Sequence, residues 1–258
     1  MALINLPVVA PVVAKAIGVS TNYLGAYVAL VYFAAMVATL LGGAAVKRWG
    51  AIRLSQAGLL SSAVGLSLCA IPHPVAIAIG ALFIGAGYGP ITPASSHLLI
   101  KTTPPEKLSF VFSIKQTGVP LGGMIAGALV PSLDIAIGWQ LAFVSSAVAC
   151  ALCAWAVQPL RAGLDDDRDP TVKPSILTSV VQPLRLIFEH PSLRALSMTS
   201  FLFAVCQMSL MAYLVTFLFE DLGWSLVAAG VALTVAQAGG VIGRILWGYV
   251  DRKSTRLN

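Results

Sequence analysis

The chain has 258 residues, of which 58% are hydrophobic and only 10% are charged, and its net charge is +6. A soluble domain carries about 25% charged residues, so the composition excludes an ordinary soluble protein and indicates one that lies in a bilayer. The positive charge does not indicate nucleic-acid binding, because the Lys and Arg residues are spread over short loops between hydrophobic segments.

Eight hydrophobic segments follow one another along the chain as candidates for membrane-spanning helices. A helix needs about 20 mostly apolar residues to cross a bilayer. The candidates cover residues 1–14, which is short, and then 21–45, 54–71, 75–99, 108–131, 139–157, 195–219 and 225–250. The sequence therefore predicts an all-α, polytopic membrane protein.

Most Lys and Arg residues fall in alternate gaps between these segments. The second gap of this series carries Lys47, Arg48 and Arg53, the fourth carries Lys101 and Lys107, and the sixth carries five more. Cytoplasmic loops are enriched in Lys and Arg. We therefore predict that these gaps and the N-terminus face the cytoplasm of a multi-pass cell-membrane protein, with the bacterial inner membrane as the expected location.

The gap over residues 158–194 is long and polar. It opens with an acidic run at 165–169, which is typical of a solvated linker. Apolar residues then recur at helical spacing from Ile176 to Phe188, which predicts an amphipathic helix on the membrane surface. Pro183 is expected to kink that helix.

Small residues repeat within the spanning segments at intervals that bring neighbouring helices together. Such residues let helices approach closely in lipid, so these positions predict either tight packing alone or flexible helices that line a pathway. The glycines concerned are Gly85, Gly89, Gly118, Gly122 and Gly123. Three prolines can interrupt helical hydrogen bonding in the same segments: Pro90, Pro93 and Pro120.

The second gap reads Gly43-Ala-Ala-Val-Lys47-Arg48-Trp49-Gly50. It resembles the G-x-x-x-D-R-x-G loop motif of the major facilitator superfamily of secondary transporters, which lies between the second and third helices. Gly43, Arg48 and Gly50 match the motif. Lys47 stands where the family has an acidic residue that is thought to hold a charge contact locking one conformation.

Within the fifth segment, the run from Lys115 to Gly123 resembles the Gly- and Pro-rich fifth helix of the same family, which is often linked to antiport. The resemblance implies a helical bundle of which about 8 of 12 transmembrane helices are present. Its expected parts are a six-helix domain over 1–157, a cytoplasmic linker with an amphipathic helix over 158–194, and the first two helices of a truncated C-terminal domain over 195–250.

Both ends of the chain look cut. The first segment is short and suggests a late start or a fragment. Residues 243–250 resemble the approach to a second copy of the loop motif. The octapeptide 251–258 that follows corresponds codon for codon to one reading frame of a common sequencing adapter, so we predict that it is not native protein.

Lys115 is the most informative single residue, because a cation inside a spanning segment is costly and usually marks a pathway, a partner or an anionic ligand. It shares a helical face with Gly118 and Gly122. Two interpretations stay open. Lys115 attracts an anionic substrate such as a carboxylate, or its side chain snorkels to the cytoplasmic surface or pairs structurally.

Five further polar residues near mid-depth are candidates for a substrate pathway, since transporter sites lie near the midplane between repeats. Each is equally a candidate for a hydrogen bond between helices. They are Asn5, Tyr88, Gln116, Gln207 and Gln237. No Asp or Glu lies in the middle of a segment, so the sequence does not indicate the coupling ion.

The predicted function is transport of a small solute by alternating access, with an organic or inorganic anion as the solute under the first interpretation of Lys115. A drug or metabolite efflux antiporter of the same superfamily is the alternative, and a channel or a polytopic membrane enzyme is the alternative from another class. Three scattered His and no intramembrane acid argue against an enzyme. The expected partners are the lipid bilayer and the solute, without catalytic residues, metal, cofactor or nucleic acid.

Overall fold

Helices make up almost all of the chain in the computed structural model, which describes residues 1–172 and 180–254, the last of these with side chains only at 180–246 and 248. No strand occurs in these two ranges, which confirms the all-α prediction. The helices are α1 (Ala2–Val8), α2 (Ala10–Ile17), α3 (Leu24–Trp49), α4 (Ala51–Cys69), α5 (Pro74–Tyr88), α6 (Ile91–Thr102), α7 (Leu108–Ile137), α8 (Trp139–Ala156), α9 (Arg161–Leu164), α10 (Gln182–Glu189), α11 (Pro191–Glu220) and α12 (Leu226–Ser254).

Seven helical stretches of the described ranges are long and apolar enough to cross a bilayer, and they correspond to the second to eighth predicted segments. A helix satisfies its own backbone hydrogen bonds, which lipid cannot do. The polytopic membrane bundle is thereby confirmed. The stretches are Thr21–Trp49, Ala51–Cys69, Pro74–Thr102, Pro105–Ile137, Trp139–Leu164, Pro191–Glu220 and Leu226–Leu246.

The first predicted segment differs from this pattern, because residues 2–17 form two short helices, α1 and α2, that meet at Val9. Pro11 lies in the first turn of α2, where its missing N–H is tolerated. Most of α1 is buried, chiefly against α7 and α11. The eight predicted spans therefore become seven within the described ranges, and the first segment is a buried, broken element.

The fourth predicted segment is also divided, into α5 and α6 at Gly89 and Pro90. Pro93 has no N–H to donate to the carbonyl of Gly89, four residues earlier. The hydroxyl of Thr39 on α3 donates to that carbonyl instead, at 2.9 Å. A neighbouring helix thus satisfies the acceptor that proline leaves free, as bilayer burial requires.

Antiparallel packing of α7 against α12 joins the first five spans to the last two over most of the length of both helices. Gly127 and Gly230 face each other so closely that a β carbon on Gly127 would lie 2.7 Å from the Gly230 carbonyl oxygen. Four pairs mark the register from one end to the other: Gly127 with Gly230, Gly123 with Gln237, Gln116 with Arg244, and Ser113 with Gly248.

Two predictions concern residues that the structure describes only in part. The C-terminal part of the predicted amphipathic segment forms α10, with Pro183 in the first turn of that helix. Residues 173–179 are outside the described ranges. Of the predicted non-native octapeptide, residues 251–254 continue α12, and 255–258 are likewise outside those ranges.

We expect Gly127→Ala to lower the unfolding temperature of the purified protein in detergent. The added methyl group would meet Gly230 O and Thr234 Oγ1 at 2.7 and 2.8 Å, and overpacking of this kind costs about 1–3 kcal/mol. Gly118→Ala on the same helix is the matched control, because nothing lies within 4 Å of its β-carbon position. Equal melting of the two variants would contradict close packing at Gly127.

Candidate functional site

The positively charged loops all lie at one end of the helical bundle. Because consecutive spans alternate in direction, α3 ends there at Trp49, α4 begins there at Ala51, and Lys101 lies in the last turn of α6. We call this the basic end. The opposite end carries the turns at Gly18, Gly138 and Gly223, which have positive φ angles.

Asp165 links the segment after α9 to the basic end. Its carboxylate accepts the backbone N–H groups of Ile52 at 2.8 Å and Arg53 at 3.0 Å, which have no helical partner in the first turn of α4. Only 5% of Asp165 is exposed. An acidic residue 113 positions away in sequence thus caps α4, and its charge is favourable at the positive end of the helix dipole.

The next acidic residues bind α6 at the same end. Lys101 Nζ contacts Asp166 and lies 3.1 Å from Asp167, and His97 Nε2 lies 2.7 Å from Asp167. The backbone N–H of Asp169 donates to the carbonyl of Lys47 at 2.8 Å. Residues 165–169, which we call the acidic clamp, therefore hold together the ends of α3, α4 and α6.

Hydrogen bonding also sets the charge of the clamp. A hydrogen bond from Lys101 lowers the pKa of Asp166 below its ordinary value of 3.8. Desolvation acts to raise the pKa of Asp167, but hydrogen bonds from Lys101 and His97 outweigh it and leave that pKa lowered. Both carboxylates therefore stabilise the contact with α6 at any pH above the ordinary aspartate pKa. That stabilisation is lost as the pH falls through their lowered pKa values in the folded protein.

The four residues of the loop motif lie within this arrangement. Gly43, Lys47 and Arg48 are exposed, whereas Gly50 is buried between α3 and α4 with a φ of 91°. The Asp165 carboxylate occupies the space that a side chain on Gly50 would need. A carboxylate is therefore present beside the motif, although the motif itself has Lys47 at its acidic position.

Lys115 lies in α7 and is half-buried. Its ammonium group donates to the hydroxyl of Ser96 on α6 at 3.2 Å and lies 5.6 Å from the centre of the Phe112 ring. No carboxylate pairs with it in the described part of the chain. The face that Lys115 shares with Gly118 and Gly122 is thus directed partly toward α6.

Arg244 on α12 meets α7 at the residue next to Lys115. Its Nη1 donates to the backbone carbonyl of Gln116 at 2.5 Å, while the Gln116 side chain is exposed. Tyr88, at the end of α5, is half-buried. Among the residues that the structure describes, no acidic side chain pairs with Arg244.

The remaining predicted pathway residues are dispersed. Asn5 in α1 is fully buried and neither of its side-chain polar atoms has a partner in the described ranges. Gln237 on α12 is 7% exposed, packs on Gly123, and its Nε2 also lacks a partner there. Thr216 on α11 has an unpaired hydroxyl as well, whereas Gln207 is half-buried without a hydrogen bond to the others.

Four of the five predicted packing glycines lie against other parts of the chain. Gly85 and Gly89 pack against the backbone of α3, Gly122 against the amino group of Met1, and Gly123 against Gln237. Gly118 has open space beside it. Four glycines that were not predicted form the contact between α4 and α5: Gly58, Gly65, Gly80 and Gly87.

An apolar cavity of about 330 Å³ lies near the opposite end of the bundle. Its walls come from α1, α2, α3 and α5 and include Leu6, Val13, Leu24 and Ile77. A charged solute would lose its hydration in such a cavity without compensation. The cationic residues near the basic end are therefore the better candidates for binding a charged solute.

Sequence reasoning missed Arg244 and Asp165 as site residues. A signal for Arg244 was present, since it is an Arg inside the predicted span 225–250 and such residues are functional candidates. Asp165 gave no such signal, because a solvated acidic run looks the same whether or not it caps a distant helix.

Seven apolar spans that enclose cationic and unpaired polar side chains are the architecture of a membrane transport protein. The chain belongs to the Major Facilitator Superfamily, whose sequence model matches residues 1–257. The family predicted from the loop motif and the order of the helices is thereby confirmed, as is membership of a transporter family.

Proteins similar in sequence to this chain include transporters of several kinds. The chain is 22% identical over 256 residues to the "Hexuronate transporter" of Bacillus subtilis (strain 168), covering 95% of this chain and 59% of that protein. It is 29% identical over 170 residues to the "Probable anion transporter 7" of Oryza sativa subsp. japonica, covering 64% and 38%.

It is also 26% identical over 250 residues to the "Multidrug efflux pump Tap" of Mycolicibacterium fortuitum, covering 86% of this chain and 58% of that protein. The chain therefore spans between 38% and 59% of the length of these three relatives.

We expect Asp165→Ala to destabilise the protein by about 1–2 kcal/mol, because it removes a helix cap and leaves the buried N–H of Ile52 and the partly buried N–H of Arg53 unpaired. The measurement is the unfolding temperature in detergent at neutral pH. Asp169→Ala is the control, since within the described ranges the Asp169 carboxylate bonds only to Thr171, and alanine keeps the backbone N–H that donates to Lys47. If Asp165→Ala melts like the control, the carboxylate does not cap α4.

Proposed function

We propose that the protein moves a small organic anion across a cell membrane by alternating access. The observation that carries this proposal is the pair of cations Lys115 and Arg244. Lys115 belongs to the turn of α7 whose Gln116 carbonyl accepts a hydrogen bond from Arg244 on α12, and neither cation has an acidic partner in the described ranges.

Cations inside spanning helices need a compensating interaction. Placing Lys or Arg at the centre of a membrane helix costs about 2.5–3.5 kcal/mol on insertion scales, and such residues are usually paired or functional. Here their hydrogen bonds go to a neutral hydroxyl and a neutral carbonyl. Two positive charges therefore remain available to an anion, and a guanidinium can bind a carboxylate through two parallel hydrogen bonds.

Unpaired polar groups elsewhere in the bundle support a solute that also carries hydroxyl groups. Asn5, Thr216 and Gln237 bury side-chain atoms without partners in the described ranges. A buried donor or acceptor that stays unpaired costs about 1–3 kcal/mol, so these groups suit a polar ligand that binds and leaves. The exposed Gln116 and half-buried Tyr88 and Gln207 complete the proposed pathway.

The names of two relatives agree with an anionic solute, since one is a hexuronate transporter and another a probable anion transporter. A hexuronate joins one carboxylate to several hydroxyl groups, which are the two kinds of group that this set of side chains would bind. We therefore take glucuronate as the first substrate to test, with glucose as its neutral analogue.

The conformational part of the proposal assigns residues 1–157 to one moving unit and residues 195–250 to the start of a second, joined by 158–194. The loop motif and the acidic clamp would then hold the basic end in one of its conformations. On this basis Asp165→Ala also changes the maximal transport rate, whereas Asp169→Ala leaves it unchanged.

We expect Lys115→Ala and Arg244→Ala each to raise the KM for glucuronate by about 10- to 100-fold, since a hydrogen bond to a charged group contributes about 1.5–3 kcal/mol. The assay is uptake by proteoliposomes that contain the product of the complete gene. Lys15→Ala is the matched control, because Lys15 is an exposed cation near the opposite end of the bundle.

Unchanged glucuronate transport in both Lys115→Ala and Arg244→Ala would contradict the anion site, and so would an equal loss in Lys15→Ala. For Lys115 it would favour the second interpretation of the sequence, in which the side chain only snorkels or pairs structurally. Lys115→Arg keeps the charge and should retain most of the affinity.

Efflux is the second candidate, because a relative named as a multidrug efflux pump matches 86% of this chain. The same proteoliposomes distinguish the two directions when they are loaded with glucuronate and diluted into buffer. Energised export that exceeds energised uptake would favour an efflux antiporter.

The orientation is tested separately. We expect the basic end to face the cytoplasm, so a cysteine in place of the exposed Glu106 should react with a membrane-impermeant maleimide only after bacterial cells are permeabilised. A cysteine in place of the exposed His73 at the opposite end should react in intact cells. The native cysteines are first replaced by serine, and the reverse labelling pattern would contradict this orientation.

A further inference from the structure

Pro120 explains why Arg244 finds an acceptor on α7. A proline has no N–H, so Pro120 cannot donate to the carbonyl of Gln116, four residues earlier in the helix. That carbonyl is the one to which Arg244 Nη1 donates. The donor that the helix lacks is therefore supplied by a cation from α12.

The packing around Pro120 holds the two helices in the register that this hydrogen bond needs. Gly240 lies one turn before Arg244 on α12, and a β carbon there would be 3.4 Å from Pro120 Cβ. Gly248, one turn after Arg244, lies against Ser113. A small residue on each side of Arg244 thus lets α12 approach α7 at this point.

Other proline-freed carbonyls in the bundle are satisfied without a charge. Thr39 donates its hydroxyl to Gly89 O, which Pro93 leaves free. Gly127 O, which Pro131 leaves free, lies against the backbone at Gly230. Neither carbonyl is contacted by a charged group in the described part of the chain, and a neutral hydroxyl is enough at Gly89, so a guanidinium at Gln116 exceeds what the backbone requires.

We propose that Pro120 is a positioning residue for anion binding: the carbonyl that it frees on Gln116 holds the Arg244 guanidinium at the turn of α7 that contains Lys115. The inference rests on the proposed transport of an anion. An Arg side chain has five N–H donors, so one bond to Gln116 leaves others for a carboxylate. Since the carbonyl is neutral, it orients the side chain without cancelling its charge.

The test is Pro120→Ala in the product of the complete gene. Alanine restores the N–H, so Gln116 O can accept within α7 and Arg244 loses its anchor. We expect the KM for glucuronate to rise about tenfold, which corresponds to about 1.4 kcal/mol, while the maximal rate changes little. The unfolding temperature should stay the same or rise, because the helix gains a hydrogen bond.

Pro131→Ala is the matched control, because it restores the equivalent bond about three turns further along the same helix, at the Gly127 carbonyl, which no charged group contacts in the described ranges. It should leave the KM unchanged. Pro120→Ser restores the same N–H and serves as the second variant if Pro120→Ala does not fold. A conservative change, Arg244→Lys, keeps the charge but not the planar fork and should rescue only part of the affinity.

Each outcome bears on one of the two proposals. If Arg244→Gln leaves the KM unchanged, the anion site itself is wrong. If Arg244→Gln raises the KM and the Pro120 variants do not, the anion site stands and the positioning role is overturned. Equal effects of Pro120→Ala and Pro131→Ala would also overturn it, since they would indicate a general change in the flexibility of α7.

Discussion

Backbone carbonyls that prolines leave without a donor lie at the contact between α7 and α12, which joins the two parts of the bundle. In lipid every such oxygen needs a partner from the protein, and α7 presents two of them, at Gln116 and Gly127, toward α12. A guanidinium meets the first and a glycine backbone meets the second. Because both oxygens face the same neighbour, α12 packs along α7 and carries Arg244 to the turn that holds Lys115.

The two ends of the bundle are stabilised by different means. At the basic end, the acidic clamp uses buried and exposed carboxylates to cap α4 and to pair with α6. At the opposite end, the hydroxyl of Thr21 donates to Glu220 at 3.0 Å and joins the start of α3 to the end of α11. Unlike Lys115 and Arg244, these charged side chains thus form their contacts at the two ends of the bundle.

The spans could be predicted from sequence because a run of apolar residues is a local property that is sufficient to specify a helix in lipid. The first segment was the exception, since its prolines divide a run that is also short. Glycine spacing was a weaker guide: Gly118 and Gly127 lie on the same helix, but only the second faces a close neighbour. That difference depends on where α12 lies, which no local pattern contains.

The candidate site could be predicted from the sequence only in part, for the same reason. Lys115 was recognisable as a cation inside a span, but its neighbour Ser96 comes from another helix. The contact between Arg244 and Gln116 joins residues 128 positions apart. The contact forms at a carbonyl that Pro120, one turn further along α7, leaves without a donor. It could therefore be recognised only once the positions of α7 and α12 relative to each other were known.

The most direct measurement is the unfolding temperature of the purified protein in sodium glucuronate and in glucose, at constant ionic strength set with sodium chloride. A ligand that binds the folded state raises this temperature as its concentration exceeds its Kd. If the two cations bind an anion, glucuronate raises the temperature in a saturable way, glucose does not, and the double variant Lys115→Ala, Arg244→Ala loses the rise. An equal rise with glucose, a rise that the double variant retains, or no rise with glucuronate would contradict an anion site formed by Lys115 and Arg244.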